Sequence, residues 1–437
     1  IRALDLRGIG MLPETKRVYP VRGTAEDTTM AAQLIGFVDV DGAGQYGVEG
    51  RENALLAGTP GRVTAQEDVI GRQIADSASV VREPIDGADL RLTIDAGVQN
   101  LLEQEMWQTF RKNSAVGVTG LIMDAETGAI LAMASYPSYD ANQFATTDGE
   151  RFANPAVARQ YEPGSVMKAF TIAAALDAGA ITTTDTVVDD NNLRIRGARI
   201  QNADRYDFPY GHGDITAGDV LALSNNVGAA KIGLELGAAE LHQAFLRYGF
   251  GAPTGIELAA EASGVVWDPN GPNASGDLTA AQNAFGQGLS VTAAQLAAGY
   301  ASFANGGLLV RPHVIAGWTD PDGTERDAEQ PPAERVMQPE TAATMIELLT
   351  NAIDDGIASG AAIPGYTVAG KTGTAQIAGP VQVTNDAGET VEQWQYIDGW
   401  VDSSFVGILP AGDRKLVTLV LLHRPAVWGR YRMAERP

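Results

Sequence analysis

Ser165 and Lys168 are the residues whose types and spacing most directly suggest catalysis. They follow Glu162-Pro163-Gly164 and lead into the apolar stretch Ala169 to Leu176, a pattern that predicts a helix starting at the serine. Residues three positions apart share one face of a helix, so the Lys168 amine is predicted to lie over the Ser165 hydroxyl. This is a nucleophile with an adjacent base, provided that burial or a second cation lowers the pKa of the lysine.

Two further polar clusters follow in the sequence and strengthen this interpretation. The first is Ser224-Asn225-Asn226, and the second is Lys371-Thr372-Gly373-Thr374. A Ser-x-x-Lys pair is common by chance on solvated helices. The same pair followed in this order by Ser-x-Asn and Lys-Thr-Gly is a signature of serine enzymes that form an acyl intermediate.

With these motifs the chain resembles the class B, monofunctional penicillin-binding protein transpeptidases, and the resemblance covers nearly its whole length. Family landmarks accompany the catalytic motifs on both sides of Ser165. Those of the transpeptidase domain are Leu92-Thr93-Ile94-Asp95, Met123 to Met133 and Phe285-Gly286-Gln287-Gly288. Those of the non-catalytic pedestal are Lys16 to Pro20, Gly36-Phe37-Val38 and Gly47-Val48-Glu49-Gly50.

The resemblance implies a role for each residue of the first two motifs. Ser165 is expected to attack a carbonyl and form an acyl-enzyme, with Lys168 as the general base. Ser224 is expected to relay a proton between Lys168 and the leaving amine. Asn226 is expected to hydrogen-bond the backbone amide of the substrate, while the Asn225 side chain points away.

Lys371 is predicted to lie on a strand between Gly370 and Gly373. Glycines at such positions let a ligand lie against the backbone. The Lys371 cation is expected to lower the pKa of Lys168 and to attract a terminal carboxylate of the substrate. This cation would be the second positive charge that an unprotonated Lys168 requires.

The rest of the third motif is implied to be a substrate-binding surface, made of Thr372, Gly373 and Thr374. The two threonine hydroxyls are expected to bind the terminal carboxylate. The backbone N–H groups of Ser165 and Thr374 are expected to form the oxyanion hole, which is often the largest electrostatic contribution to acyl transfer.

Composition limits the classes of function. The 437 residues include 45% hydrophobic and 19% charged residues, which is typical of a globular chain with two or three domains. The net charge of −23 argues against nucleic-acid binding through bulk electrostatics. No metal site and no cofactor are expected, because the chain has no cysteine and its four histidines lack ligand spacing.

The predicted fold class is α+β and has two domains. Residues 1–88 are expected to form an α+β pedestal that is an incomplete version of the family's dimerisation-like domain, and residues 89–437 are expected to form the transpeptidase domain. In the second, the resemblance implies a serine β-lactamase-like fold, whose central antiparallel sheet takes strands from both ends of the sequence around a helical subdomain. The segment Gly379 to Gln395 is predicted to be a mobile excursion next to the third motif.

The resemblance also implies where the protein acts. Residue 1 is Ile and no apolar run is long enough to cross a membrane, so an anchor is expected to precede this chain. The catalytic domain is then expected at the extracytoplasmic face of the bacterial cell membrane. The pedestal is expected to bind a glycosyltransferase or another cell-wall assembly partner.

The function that follows is a D,D-transpeptidase for peptidoglycan stem peptides, covalently inhibited by β-lactams and serving cell-wall biogenesis. The 88 residues before the transpeptidase domain are too few for a glycosyltransferase domain, which disfavours a bifunctional class A enzyme. Three alternatives stay open at this point. They are a serine β-lactamase, a D,D-carboxypeptidase or endopeptidase, and a non-catalytic β-lactam sensor or cell-wall scaffold.

Overall fold

The computed structural model of the protein describes residues 16–66, 68–70, 74, 76–77, 79–272, 274–384, 390–411 and 414–426. Within the predicted pedestal, residues 1–15 and a few positions between 67 and 78 therefore lie outside the described residues.

The N-terminal part consists of short elements. In chain order they are α1 (Ala32–Ile35), β1 (Phe37–Val38), β2 (Gly44–Gln45), α2 (Gly47–Arg51), α3 (Asn53–Leu56), β3 (Arg62–Thr64) and β4 (Ser79–Arg82). β1 pairs with β2 and β3 pairs with β4, both in antiparallel ribbons. The β3–β4 ribbon is exposed on all of its residues, whereas α1 is mostly buried.

The next four elements are β5 (Asp89–Leu92), α4 (Ala96–Asn113), β6 (Gly117–Asp124) and β7 (Ile130–Tyr136). α4 begins at Ala96 because the Asp95 carboxylate caps it, accepting hydrogen bonds from the N–H groups of Gly97 and Val98. It ends at Ser114, which adopts a left-handed conformation with φ of 44°.

The middle of the chain is mostly helical. Its short 3₁₀ helices are Ala141–Thr146, Gly149–Arg151 and Gly164–Met167. The other elements are α5 (Pro155–Ala158), α6 (Lys168–Asp177), β8 (Thr186–Asp189), β9 (Leu193–Ile195), β10 (Ala198–Ile200), β11 (Gly213–Thr216), α7 (Ala217–Ala222), α8 (Asn226–Leu236), α9 (Ala238–Arg247), α10 (Asp277–Asn283) and α11 (Ala293–Ala304). All residues of α11 are buried, so this helix lies at the centre of the fold.

The C-terminal part returns to strands after one long helix. Its elements are β12 (Leu308–Leu309), β13 (Ile315–Thr319), β14 (Glu325–Asp327), β15 (Glu334–Arg335), α12 (Pro339–Asp354), a 3₁₀ helix (Ser359–Ala361), β16 (Ala369–Thr384), β17 (Thr390–Ala411) and β18 (Arg414–His423). β5 does not join the main sheet and instead pairs with β13.

The central sheet has five antiparallel strands in the order β16-β17-β18-β6-β7. Strands from both ends of the sequence therefore meet in one sheet, as the sequence predicts. β18 is an interior strand, and its side chains alternate between two cores. Leu419 and Leu421 face the helical region, whereas Val420 and Leu422 face the core formed with α4.

The structure corrects the prediction of an excursion from Gly379 to Gln395. β16 and β17 stay paired through this segment, from Gly379 opposite Gln395 to Thr384 opposite Thr390; residues 385–389 lie outside the described part. Pro380 does not interrupt the pairing because β16 is the edge strand, where a missing backbone N–H is tolerated. Valines on both strands and aromatic residues on β17 further favour sheet over loop.

The described N-terminal residues pack closely against the rest of the protein. Leu34 and Val48 are buried in the main hydrophobic core. The buried Glu103 carboxylate on α4 accepts hydrogen bonds from the N–H groups of Ala31 at 2.7 Å and Thr24 at 3.2 Å. A domain boundary after residue 88 therefore stays a prediction, because the first half of the predicted pedestal shares the core of the second domain.

Candidate active site

A single 3₁₀ turn places the nucleophile and its neighbouring lysine together. Ser165 lies in the turn Gly164–Met167, and Lys168 is the first residue of α6. Side chains three residues apart eclipse one another in a 3₁₀ helix. The Lys168 Nζ consequently lies 3.0 Å from the Ser165 Oγ.

Buried contacts from the segment 284–300 hold this turn. Gly164 has φ of 60° and donates its N–H to the Gly286 carbonyl at 3.0 Å. A Cβ at Gly286 would lie 2.0 Å from the Gly164 carbonyl oxygen, so only glycine fits beneath the turn. The Tyr300 hydroxyl donates to the Val166 carbonyl at 2.8 Å. The landmark Phe285-Gly286-Gln287-Gly288 thus packs against the turn that carries the nucleophile.

Lys168 also contacts the second motif. Its side chain is fully buried, its Nζ donates to the backbone carbonyl of Ser224, and the Nζ lies 3.2 Å from the Ser224 Oγ. A carbonyl oxygen can only accept, so this contact fixes one N–H of the amine. A neutral amine then has its lone pair available for a hydroxyl proton.

Ser224 reaches this position because the backbone between α7 and α8 bends sharply. Its φ of 54° lies in the left-handed region, which is uncommon for a serine. The side chain of Asn225 caps the following helix by accepting from the Gly228 N–H at 2.7 Å. The bend turns both the carbonyl and the hydroxyl of Ser224 toward Lys168.

Lys371 completes the group from β16. It is 1% exposed, and its Nζ donates to the Ser224 Oγ at 3.0 Å and to the Thr372 carbonyl at 3.3 Å. The Ser224 hydroxyl therefore lies between two lysine amines. The three sequence motifs converge on one site, although they are far apart in the chain.

Burial is the main influence on both lysines. It lowers the pKa of Lys168 well below its usual value; the Lys371 cation lowers that pKa further, and the Asp204 carboxylate acts weakly in the opposite direction. Burial also lowers the pKa of Lys371, to about 7. Within the described part of the chain neither lysine forms a salt bridge. The direction of the Lys168 shift agrees with the requirement for a basic amine.

The two asparagines of the second motif point in different directions. The Asn226 Nδ2 donates to the Gln201 carbonyl at 3.0 Å, which leaves its side-chain oxygen as the group able to accept. Asn225 is 1% exposed, and its Nδ2 donates to the Asp189 carboxylate at 2.6 Å, away from the lysines. The sequence gives no signal for Asp189 or Gln201, because neither belongs to a spaced motif.

The structure corrects the reason proposed for the glycines beside Lys371. A Cβ at Gly370 would lie 2.8 Å from the Phe405 ring, and one at Gly373 would lie 2.4 Å from the Ser404 hydroxyl. Both positions are therefore filled by protein atoms of β17 and not open to a ligand. The glycines let β16 pack closely against its neighbours.

The exposed side of β16 carries the threonines. Thr372 is partly exposed and Thr374 is exposed, alternating with the buried Lys371 and Gly373. The backbone of Thr374 lies against the nucleophile turn, since a Cβ at Gly164 would lie 2.8 Å from the Thr374 carbonyl oxygen. The structure therefore brings the backbone segments of Ser165 and Thr374 side by side.

Glu162 is an acidic residue close to the nucleophile in the chain. Its carboxylate accepts hydrogen bonds from the Gly288 N–H at 3.0 Å and from the Tyr396 hydroxyl at 3.0 Å. Burial raises the pKa of Glu162, while these two hydrogen bonds oppose that effect. Tyr396 comes from the paired extension of β16 and β17, so this extension reaches the nucleophile segment.

Two features are absent from the residues that the structure describes. No group of three or more His, Asp or Glu side chains there is arranged to hold a metal ion. No helix in the same residues is long and apolar enough to cross a membrane.

A buried Ser-Lys pair joined to a second serine and a second lysine is typical of serine acyl-transfer enzymes. Comparison with known proteins agrees with this class. Residues 118–435 match the penicillin binding protein transpeptidase domain. This chain therefore belongs to the penicillin-binding protein transpeptidase family, and its relatives place it with the class B members.

Curated relatives match nearly the whole chain. Stage V sporulation protein D of Bacillus subtilis is 32% identical over 97% of this chain and 62% of that protein. Peptidoglycan D,D-transpeptidase FtsI of Escherichia coli is 31% identical over 99% of this chain and 66% of that protein. The chain thus spans less than two thirds of the length of these relatives.

A solved structure shares the fold. Penicillin binding protein 3 of Mycobacterium tuberculosis, in complex with ampicillin, superimposes with a TM-score of 0.76 at 27% identity. The match covers 93% of this chain and 88% of that one. The predicted α+β transpeptidase fold is confirmed.

Proposed function

We propose that this protein is a D,D-transpeptidase that cross-links peptidoglycan stem peptides through an acyl-enzyme on Ser165. The observation that carries the proposal is the chain of contacts from the Ser165 hydroxyl through Lys168 and Ser224 to Lys371, with heavy-atom distances of 3.0, 3.2 and 3.0 Å. It supplies a nucleophile, a base of lowered pKa and a proton path in one buried site.

In the proposed acylation, the Ser165 Oγ attacks the carbonyl carbon of the penultimate D-Ala residue while the Lys168 amine takes the hydroxyl proton. The tetrahedral intermediate then loses the terminal D-Ala as the C–N bond breaks. Ser224 passes a proton to the leaving nitrogen, and Lys168 resupplies it. Lys371 holds the Ser224 hydroxyl and keeps the pKa of Lys168 low.

Backbone groups are proposed to bind the oxyanion. The N–H groups of Ser165 and Thr374 would donate to it, which is supported by the close approach of Gly164 to Thr374. The hydroxyls of Thr372 and Thr374, on the exposed side of β16, would bind the terminal carboxylate. The Asn226 side-chain oxygen would accept from a substrate amide.

The acyl group is proposed to pass to an amine of a neighbouring stem peptide. A β-lactamase needs a base that activates water against the acyl-enzyme. Glu162 is poorly suited to that role, because its carboxylate is already engaged by Gly288 and Tyr396. This engagement favours an amine acceptor over water. Because β-lactams are bound by the related M. tuberculosis protein, we also propose that they acylate Ser165.

We further propose that the catalytic domain acts at the extracytoplasmic face of the cell membrane and that its N-terminal part binds a glycosyltransferase or another cell-wall assembly partner. The exposed β3–β4 ribbon supports such an interface, since Val63, Val80 and Val81 are each more than half exposed. Copurification with and without this ribbon tests the proposed partner binding.

Labelled penicillin tests the nucleophile. We expect one covalent label per chain, located on Ser165 by peptide mass spectrometry, and no label on Ser165→Ala. Thermal unfolding of the variant should be nearly unchanged, because the hydroxyl deletion leaves the turn's backbone hydrogen bonds intact. Labelling that persists in the variant would contradict the assignment.

The lifetime of the adduct separates the transpeptidase from its rivals. We expect the penicilloyl adduct to persist for minutes to hours after free drug is removed, as followed by intact mass. Rapid return to the unmodified mass with repeated hydrolysis would identify a β-lactamase. With a D-Ala-D-Ala peptide, release of D-Ala with transfer to an added amine supports the proposal, and release to water alone identifies a carboxypeptidase.

A further inference from the structure

A buried carboxylate lies behind the second motif, at the end of β8. Asp189 is 1% exposed, and in the described part of the chain it forms no ion pair. Among the described residues, only amide N–H groups donate to it. They are the Nδ2 of Asn225 at 2.6 Å, the Nδ2 of Asn202 at 2.9 Å to both oxygens, and the backbone N–H groups of Asn191 and His212 at 3.0 Å each.

Asp189 is linked to the catalytic residues by two routes. The first runs through Asn225, which follows Ser224 directly and caps α8. The second runs through Asn202, whose side-chain oxygen accepts from the backbone N–H of Asn226 at 2.9 Å and of Val227 at 3.0 Å. Both residues of the motif that face the site are therefore anchored to one carboxylate through a single intermediate residue.

The site favours a charged carboxylate. Burial opposes ionisation, but the hydrogen bonds from Asn225 and the other donors outweigh it and lower the pKa of Asp189. Each oxygen accepts at least two hydrogen bonds. An amide in place of the carboxylate would set its NH₂ group against two or more donors in either orientation.

We propose that Asp189 is a positioning residue for acylation, holding Ser224 and Asn226 in their reactive geometry through Asn225 and Asn202. This inference rests on the proposed function. Ser224 has a left-handed φ of 54° and lies between two amines of lowered basicity. Such a conformation persists only when its surroundings determine it. Loss of the Asp189 contacts would let the Ser224 hydroxyl leave the proton path.

The test compares Asp189→Asn, Asn225→Asp and the double variant by stopped-flow acylation with a fluorescent penicillin. We expect each single variant to lower the acylation rate constant by about tenfold or more, with a smaller effect on the preceding binding constant. Asn225→Asp should lower the rate constant for a different reason, because it places a second carboxylate against that of Asp189. The double variant places an amide and a carboxylate together again, but the amide introduced at Asp189 still faces N–H donors such as that of Asn202, so we expect it to acylate more slowly than wild type.

Asp140→Asn is the matched control, because Asp140 also accepts from asparagine and glutamine amides but lies outside the motif network. It should acylate at the wild-type rate. If Asp189→Asn does not fold, Asn202→Ala cuts the second route and should show the same selective loss. Wild-type rates in Asp189→Asn, in the double variant, or in Asn202→Ala where that variant is used, would overturn the inference. Failure of the wild-type protein to acylate would instead contradict the proposed function.

Discussion

Two sites in this protein bury charged groups to a similar extent but surround them differently. At the junction with the N-terminal part, the Glu103 carboxylate accepts from the N–H groups of Ala31 and Thr24 and from the Gln99 side chain at 3.0 Å. In the active site, the Lys168 and Lys371 amines share one serine hydroxyl; burial lowers the pKa of both, and the Lys371 cation lowers the pKa of Lys168 further.

The difference shows how surroundings decide what a buried charge does. Three N–H donors satisfy the buried Glu103 carboxylate and tie two parts of the chain together. Burial disfavours the charged form of both lysine amines, which form no salt bridge among the described residues, and the Lys371 cation adds to this effect on Lys168. The junction thus contributes stability, whereas the active site gives up stability to obtain a base.

The largest expected effect is on acylation when Lys168 is replaced by Met. The base and its proton path are lost together, so the acylation rate constant should fall by about a thousandfold or more. Removal of a buried amine should leave the free energy of unfolding unchanged or raise it. Stopped-flow acylation and urea unfolding measure the two effects, with Lys112→Met on α4 as an exposed control. Near-native acylation would place the base elsewhere.

Lys371→Met should lower the acylation rate constant by about a hundredfold, because the Ser224 hydroxyl loses its donor and Lys168 loses the nearby cation. Since Lys371 is 1% exposed, we expect similar losses for β-lactams with and without a carboxylate. The sequence suggests direct carboxylate binding by this lysine. A loss confined to carboxylate-bearing ligands would support that role instead.

Glu103→Gln tests the contribution of the junction with the N-terminal part to stability. One carboxylate oxygen becomes a donor that faces N–H groups, which should lower the free energy of unfolding by about 1–3 kcal/mol. Acylation at a temperature well below the melting point should be unchanged, because Glu103 makes no contact with the motif residues. Glu105→Gln, exposed on the same helix, is the control. A parallel loss of acylation would show that the junction also positions the active-site residues.

The last expected effect is the pH dependence of stability. The folded-state pKa of Lys371, about 7, lies below its ordinary value, so between these pH values the unfolded chain holds a proton that the folded protein has lost. Stability from this group therefore rises with pH above 7. The stability gain of Lys371→Met over wild type should be largest below pH 7 and shrink toward pH 10. Urea unfolding of both proteins across this range measures it, and a constant difference would contradict the lowered pKa.

Much of the site was predictable because its motifs are local. The Ser165–Lys168 contact needs only one helical turn, so spacing alone predicts it. The strands β6, β7 and β18 were predictable as well, since β-branched and apolar residues alternate or cluster along them. The resemblance to the family gave meaning to the order of the three motifs. It also predicted that strands from both ends of the chain meet in one sheet.

Other features could not be read from local pattern. The pairing of β16 with β17 beyond Gly379 depends on an edge position that makes Pro380 acceptable, and edge position is a property of the assembled sheet. The reason for Gly370 and Gly373 likewise lies in contacts with β17, whose residues come some thirty positions later in the chain.

The amino-acid sequence fixes which chemical groups are present: a serine nucleophile, two lysines, a second serine and an asparagine, in a set order along the chain. Their reactivity depends on the tertiary structure. Burial lowers the pKa of both lysines, and burial is a property of packing between distant segments. The support of Ser224 by Asp189, 35 residues earlier in the chain, likewise exists only once β8 and α8 are packed together.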